Sequence, residues 1–396
     1  MQVNSMVQHK ILFVAHQSDL SGGASKSMIA LILELRDRYQ YDIMVLVPSR
    51  GALSDLLDQL NIRWLSGIYY WWMGVQNKKS PVSFIKWQIK KIINLVSASV
   101  LFFKLYPEKF DLIYSNTSTM DIGLTLSRFL FKPHVTHIRE FGLDDYGIWF
   151  FEPINRVINR LSASSSHIIT ISKSLQEQYS ELLPCKKINL VYNGIDDDFN
   201  LADSTFSHQD DIIRFVIVGY LCKGKGQQDI IEAARQLKIS GHNSFHIYIA
   251  GSGEAKYISE LTALISSYDL SHHITLVGEQ DRGEIISLLS RCDVGLITSR
   301  KEAFGRVTVE YMLASLPVIA SDSGANPELI DDGITGLLYV AGDCAALSEK
   351  MSIYMNDRTL AKTHGMRARD EALQRFSIER CAGDVHEIII DVISAK

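Results

Sequence analysis

The sequence predicts an α/β protein with parallel sheets, divided into two domains, and three observations carry that reading. Short apolar runs alternate with longer helical patterns along the chain, as they do where a parallel sheet is covered on both faces. A polar stretch opened by Asn193-Gly194-Ile195-Asp196 and running through 211 interrupts the alternation, which starts afresh at Phe215. The length of 396 residues is enough for two separate cores, and 46% hydrophobic with 21% charged residues is the composition of an ordinary soluble globular protein.

In the first half the expected strands are 11–15, 43–47, 112–115, 135–139 and 168–171. The first runs into a loop at 17–21, then Gly22-Gly23-Ala24-Ser25 and a helix through 35. Glycines there let backbone approach an anion in front of a helix start, although without GxGxxG spacing this is no dinucleotide fingerprint. The other reading is a plain tight turn. His137-Ile138-Arg139-Glu140 closes a strand, and ligands of open α/β sheets bind at carboxyl ends of strands, so Arg139 is a candidate for the reacting centre. A solvated Arg139–Glu140 pair is the alternative. Residues 69–104 combine Tyr69, Tyr70, Trp71, Trp72, Phe84, Trp87, Phe102 and Phe103 with Lys78, Lys79, Lys86, Lys90, Lys91 and Lys104, and lack acidic residues after Trp72. Such a segment fits either an anionic membrane surface or a core-packed helix with a solvated lysine face. Asp196-Asp197-Asp198 contains DxD, a metal-diphosphate pattern in some enzymes; in a polar linker it reads more readily as solvent-facing.

The second half continues with strands 215–218, 247–250, 274–277, 294–297 and 318–321, each entering a glycine-containing loop. The run from Gly219 to Gly226 nearly matches GxxxxGK[ST], but Gly226 stands where the magnesium-holding hydroxyl belongs. That argues against an NTPase and leaves a metal-free diphosphate site using glycine amides and Lys225. After the strand at 294–297 comes Glu302-Ala-Phe-Gly-Arg-Val-Thr-Val-Glu310, loop through Gly305 and helix from Arg306. Free amides at that helix start suit phosphate oxygens, and Glu310 one turn in has acceptors for a vicinal diol. An acidic helix cap with a solvated glutamate is the plainer reading. A last helix is expected over 379–392.

The net charge of −5 gives no hint of a nucleic-acid binder, but with 21 Lys/Arg against 18 Asp/Glu in residues 1–200 and 19 against 27 beyond, an anionic partner is expected to prefer the first half. Five scattered cysteines without a CxxC point to reduced thiols, no zinc site and no disulfide framework, as in a cytoplasmic protein. No signal peptide and no transmembrane helix are expected.

Taken in series, Gly22-Gly23, Asn193-Gly194-Ile195-Asp196, Gly219 with Lys225-Gly226, Gly251-Ser252-Gly253-Glu254, Glu302-x7-Glu310 and Gly324 with Glu328 resemble the retaining glycosyltransferases of family 4. The resemblance covers nearly all of the second domain and scattered points of the first. It implies the GT-B fold, two facing Rossmann-like domains with an inter-domain cleft: an acceptor-side domain over 1–195, a donor domain over 196–376, and a helix at 377–396 crossing back. It further implies Glu310 as ribose ligand and Glu302 as ligand of donor-sugar hydroxyls. Phe304 and Gly305 would be backbone donors, Lys225 the diphosphate cation, and Gly23 a contact from the opposite domain. Gly219 and Gly253 belong to the donor loops, and the loop around Gly278 would read the base. Two positions depart from the family. Arg139 stands about where relatives have a histidine, and Tyr220 replaces an arginine after Gly219, a loss that Arg306 is expected to make good. The function implied is metal-independent, retaining transfer of a hexose from a UDP- or GDP-sugar to a glycan or lipid-linked acceptor in surface polysaccharide biosynthesis, without cofactor, at the inner face of a membrane. A sugar-nucleotide epimerase and an inactive nucleotide-sugar-binding module are the competing readings. Base, sugar, acceptor, linkage and oligomeric state are not written in these residues.

Overall fold

The computed structural model describes residues 8–20, 22–75, 80–142, 148–150, 152, 154–183, 188–199 and 211–395. The chain divides into two compact units, Met1–Gly194 with Ile378–Lys396, and Ile195–Ser377.

In the first unit the strands are β1 (Lys10–Val14), β2 (Asp42–Val47), β3 (Arg63–Ser66), β4 (Met73–Val75), β5 (Leu112–Ser115), β6 (His134–Ile138), β7 (Ile148–Phe150), β8 (His167–Thr170) and β9 (Ile188–Leu190). Among the described residues seven of them make one sheet in the order β3-β2-β1-β5-β6-β8-β9, with every neighbouring pair parallel. β4 and β7 form a separate antiparallel pair. Side chains alternate across a strand, so β1 and β2 feed two cores at once. Ile11, Phe13, Ile43 and Val45 pack with Met28, Leu31 and Leu35 of the helix Gly23–Asp37 and with Val385, Ile389 and Val392 of the helix Ile378–Ser394. Leu12, Val14, Met44 and Leu46 pack on the other face with Ala98, Leu101 and Leu105 of the helix Pro81–Leu105.

That helix settles part of the double reading of residues 69–104. Ser80 caps it in a capping box with Ser83, and Trp87, Asn94, Ala98, Leu101 and Leu105 face the core. Tyr69 is buried, its hydroxyl donating to the carbonyls of Ala15 at 2.8 Å and Leu46 at 3.0 Å. The outward side is aliphatic rather than lysine-rich, against the expectation of a solvated lysine face. Lys78 and Lys79 lie outside the described residues, as does most of the polar stretch through 211.

In the second unit β10 (Ile213–Val218), β11 (Phe245–Ala250), β12 (Ile274–Gly278), β13 (Val294–Ile297), β14 (Val318–Ser321) and β15 (Gly336–Tyr339) form, among the described residues, a parallel sheet ordered β12-β11-β10-β13-β14-β15. Both sheets reverse their strand order once, between β1 and β5 and between β10 and β13. Loops leaving the carboxyl ends of strands on the two sides of such a reversal diverge and leave a crevice, where open α/β sheets take ligands. Gly22, Gly23, Gly219, Lys225, Glu302, Phe304 and Gly305 lie on these loops or at their ends, Arg306 and Glu310 on the helix that follows, and Arg139, Gly253 and Gly278 at the carboxyl ends of the neighbouring strands β6, β11 and β12.

Candidate active site

β10 and β13 flank the reversal in the second unit, and the loops after them are laced together. The Thr298 hydroxyl donates to the Lys225 carbonyl at 2.7 Å, and the Arg300 amide to the Gly224 carbonyl at 2.8 Å. This explains the glycine where a phosphate loop carries a hydroxyl. Gly226 has φ +71°, and a Cβ there would stand 2.2 Å from the Thr298 carbonyl oxygen. Gly219 lies in the same crossing, its amide donating to the Ala250 carbonyl at 3.0 Å, while a Cβ on Gly251 would meet the Gly219 carbonyl oxygen at 1.9 Å. Gly253 bridges Leu221, and the Gly278 carbonyl accepts from the Gly251 amide at 2.8 Å. Backbone thus lines this edge, with the Tyr220 ring 53% exposed on it.

The two loops bring Lys225 Nζ to 2.7 Å from Glu302 Oε2. Glu302 is held from behind: its carbonyl accepts from the Ala325 amide at 2.8 Å, and Gly324 has φ +58° with space for no side chain, a Cβ lying 2.2 Å from that same carbonyl oxygen. Phe304 is buried with its ring against Phe376. Gly305, at φ +87°, turns the chain into the helix Arg306–Leu313. The Tyr311 ring of that helix fills the space over Gly295 and its hydroxyl accepts from the Val218 amide at 2.7 Å, which fixes the helix start against the sheet. The amides of Gly305 to Thr308 have no intrahelical partner by construction, and the Thr308 hydroxyl is buried without a partner among the described residues.

Glu310 points from this helix to two arginines. Arg282 Nη1 donates to its Oε1 at 2.9 Å, and Arg306 Nη2 stands 3.6 Å away. Burial, the largest influence on Arg306, lowers its pKa, and Glu310 opposes the shift. Arg282 also donates to Asp198 at 3.2 Å and lies over the Phe199 ring at 4.3 Å. Asp197 is paired with Arg369 at 2.7 Å. The three aspartates of the DxD stretch are exposed, as expected, two of them pairing with arginines at the surface, and among the described residues no group of three His, Cys, Asp or Glu side chains could hold a metal ion.

In the first unit Gly22 caps the helix Gly23–Asp37 beside the loop after β1. The Asn116 side chain, just past β5, donates to the Ala24 carbonyl at 3.0 Å. Arg139 follows β6 and is buried. Its guanidinium donates to Asn116 Oδ1 at 3.0 Å, to Asn193 Oδ1, and to His137 Nδ1 at 3.1 Å, and its backbone amide donates to Glu140. The solvated Arg–Glu pair is absent, since Glu140 is itself buried and accepts from the Ser118 amide at 2.8 Å. His137 Nδ1 also accepts from Tyr114, and burial followed by the Arg139 charge holds this imidazole neutral, well below its ordinary pKa. His16 is held down to about 4 by burial and then Arg139.

The structure thus gathers Gly219, Lys225, Gly253, Gly278, Glu302, Phe304, Gly305, Arg306 and Glu310 on the second unit and Gly22, Gly23 and Arg139 on the first. Arg282, Thr298, Asn116 and His16 were missed in the sequence. Arg282 sits in an ordinary capping box begun by Asp281, and only its distant partners mark it.

Two family models match the chain, Glycosyltransferase Family 4 over residues 21–199 and Glycosyl transferases group 1 over 200–371. An uncharacterised glycosyltransferase of Methanocaldococcus jannaschii is 29% identical over 71% of this chain and 75% of its own length. The amylovoran biosynthesis glycosyltransferase of Erwinia amylovora is 32% identical over 48% of this chain, which spans under half, 47%, of that relative. Among solved structures, Anabaena HepE in complex with UDP and glucose aligns with a TM-score of 0.76 over 97% of this chain and 100% of its own, at 23% identity.

Proposed function

This chain belongs to the group 1 glycosyltransferases, with their GT-B fold, and from that premise we propose that it transfers a hexose, with retention, from a UDP- or GDP-sugar to a glycan or lipid-linked acceptor in surface polysaccharide biosynthesis. The observation that carries the reading is the pairing of Lys225 with Glu302 a few residues ahead of a helix start, with Glu310 on that helix held by two arginines. A nucleoside diphosphate satisfies each group: the phosphates take Lys225, Arg306 and the amides from Gly305, Glu310 holds the ribose diol, and Glu302 holds sugar hydroxyls. The UDP in the HepE structure and the polysaccharide named for the Erwinia relative support the donor and acceptor classes.

In the step proposed, the acceptor oxygen bonds to the anomeric carbon on the face from which the diphosphate departs. The carbon–oxygen bond to phosphate breaks, and a phosphate oxygen takes the acceptor proton. Charge grows on the leaving group, so Lys225, Arg306 and the helix amides act where stabilisation counts most, in place of a divalent metal. Arg139, tied on three sides within its unit, positions Asn116 and Asn193 rather than acting as an acid or base.

Calorimetric titration with UDP and GDP, each with chelator present, tests the donor site. One of the two binds, and Glu310→Ala abolishes it. Binding only with magnesium, or to neither nucleotide, overturns the reading. Incubation with the matching sugar nucleotide then separates transfer, seen as a glycoside of unchanged anomeric configuration, from epimerisation, seen as a new sugar nucleotide without acceptor.

A further inference from the structure

The helix Pro81–Leu105 is apolar on two opposite sides. At 100° per residue, Trp87, Asn94, Ala98, Leu101 and Leu105 define the side facing the core. Half a turn away Val82, Ile85, Ile89, Ile92, Val96, Val100 and Phe103 form a second stripe, recurring every three or four residues, with each side chain 52 to 76% exposed. The stripe runs nearly the length of the helix, about 37 Å, and no charged residue interrupts it. Scattered exposed aliphatics are normal; a continuous ridge is a contact surface.

We propose that this ridge lies in the interface of an anionic lipid bilayer, with the helix parallel to the membrane plane. Three observations select lipid as the occupant. Lys86, Lys90 and Lys104 stand along one edge of the ridge, and no acidic residue occurs from 73 to 107, so the border of the stripe complements anionic headgroups. The ridge consists of Ile and Val with one Phe, whereas a protein interface of this size draws on Tyr, Trp, Arg and Met. No helix of the described residues is long and apolar enough to cross a membrane, and with lysines at its edge this one suits the interface plane. Such docking gives the protein access to a lipid-linked acceptor. It stands on the first unit alone, so it can fail while the donor reading holds.

The test is flotation of the full-length protein with vesicles of phosphatidylcholine alone and of phosphatidylcholine mixed with phosphatidylglycerol, at low and high salt, alongside sedimentation velocity. The protein binds the mixed vesicles, loses part of that binding in high salt as the lysine contribution is screened, and keeps the rest. Ile92→Asp with Val96→Asp lowers the partition coefficient at least about tenfold, while UDP binding and melting temperature stay at the wild-type values. Should the aspartates impair folding, Ile92→Ser with Val96→Ser reads the same contact. Wild-type protein that ignores both vesicles, binding that the ridge variants leave intact, or a dimer that these variants dissociate would each overturn the proposal.

Discussion

Removing the charge of Glu302 should tighten nucleotide binding while it slows transfer. Lys225 Nζ lies 2.7 Å from Glu302 Oε2, with side chains 34% and 18% exposed, so a diphosphate must compete with the carboxylate for the same ammonium. A pair placed between surface and interior contributes about 1 kcal/mol, above the few tenths of an exposed pair and below a dry one. Relieved of that competition in Glu302→Gln, the nucleoside diphosphate gains about 1 kcal/mol, or about fivefold in affinity. The amide keeps the shape of the side chain, so the loop braced by Gly324 is undisturbed. On the proposed reading the same change takes a charged acceptor from the sugar hydroxyls, worth about 1.5–3 kcal/mol, and transfer falls at least about tenfold. Calorimetry with whichever of UDP and GDP binds and initial rates with the matching sugar nucleotide read the two effects separately. Affinity for that nucleotide that is unchanged or weaker in Glu302→Gln would refute the idea that this ion pair is exchanged on binding.

Arg282 and Glu310 should couple in nucleoside diphosphate binding by about 1 kcal/mol. A double-mutant cycle of Arg282→Ala and Glu310→Ala measures it, and additive losses would show that Arg282 does not hold Glu310 for the nucleotide. Gly324→Ala forces a left-handed conformation and a contact with the Glu302 carbonyl, lowering stability in urea by about 2–3 kcal/mol. At Gly333, with φ +74° and no heavy atom within 4 Å of where a Cβ would stand, the same substitution costs only about 1 kcal/mol; equal losses would mean the contact is relieved without strain. His16 has its pKa lowered to about 4 in the folded chain, so the unfolded chain takes up its proton first as pH falls below 6.5. Stability from this group is present above 6.5 and declines by about 1.4 kcal/mol per pH unit toward 4. Urea unfolding as a function of pH should show a shallower slope in His16→Gln, and an identical slope would place the proton elsewhere.

The central strands were legible because they are buried on both faces and read as unbroken apolar runs. β5, β13 and β14 occupy the expected residues, and β1, β2, β6 and β8 begin one residue earlier than expected. The edge strands β3 and β9 escaped notice, since Arg63-Trp64-Leu65-Ser66 and Ile188-Asn189-Leu190 are half exposed and carry no apolar period. Glu302, Lys225 and Glu310 stood out through their spacing to glycines in the same loops. The two-sided helix at 81–105 could not be resolved from the sequence because Ile and Val serve a core and a surface ridge equally well, and only the position of Trp87 and Asn94 against the sheet tells the sides apart. Arg282 is the clearest omission, since its partners Asp198 and Glu310 lie 84 and 28 residues away.

The helix Ile378–Ser394 belongs to the first unit, though the whole second unit precedes it in the chain. Ile378, Cys381, Ala382, Val385, Ile389 and Val392 fill the same core as β1 and the helix Gly23–Asp37. A domain made first on the ribosome ordinarily folds first, but here the core of the first unit lacks one wall until residues 378–392 have been made. The second unit is complete at Ser377 and can close while the first still exposes the apolar face of its sheet, so the nascent first unit is the stretch that a chaperone would hold. At the two crossings of the chain, the Ile195 amide donates to the Phe376 carbonyl at 2.9 Å and Gly194 lies against Ile378, so the chain leaves and re-enters the first unit at one place.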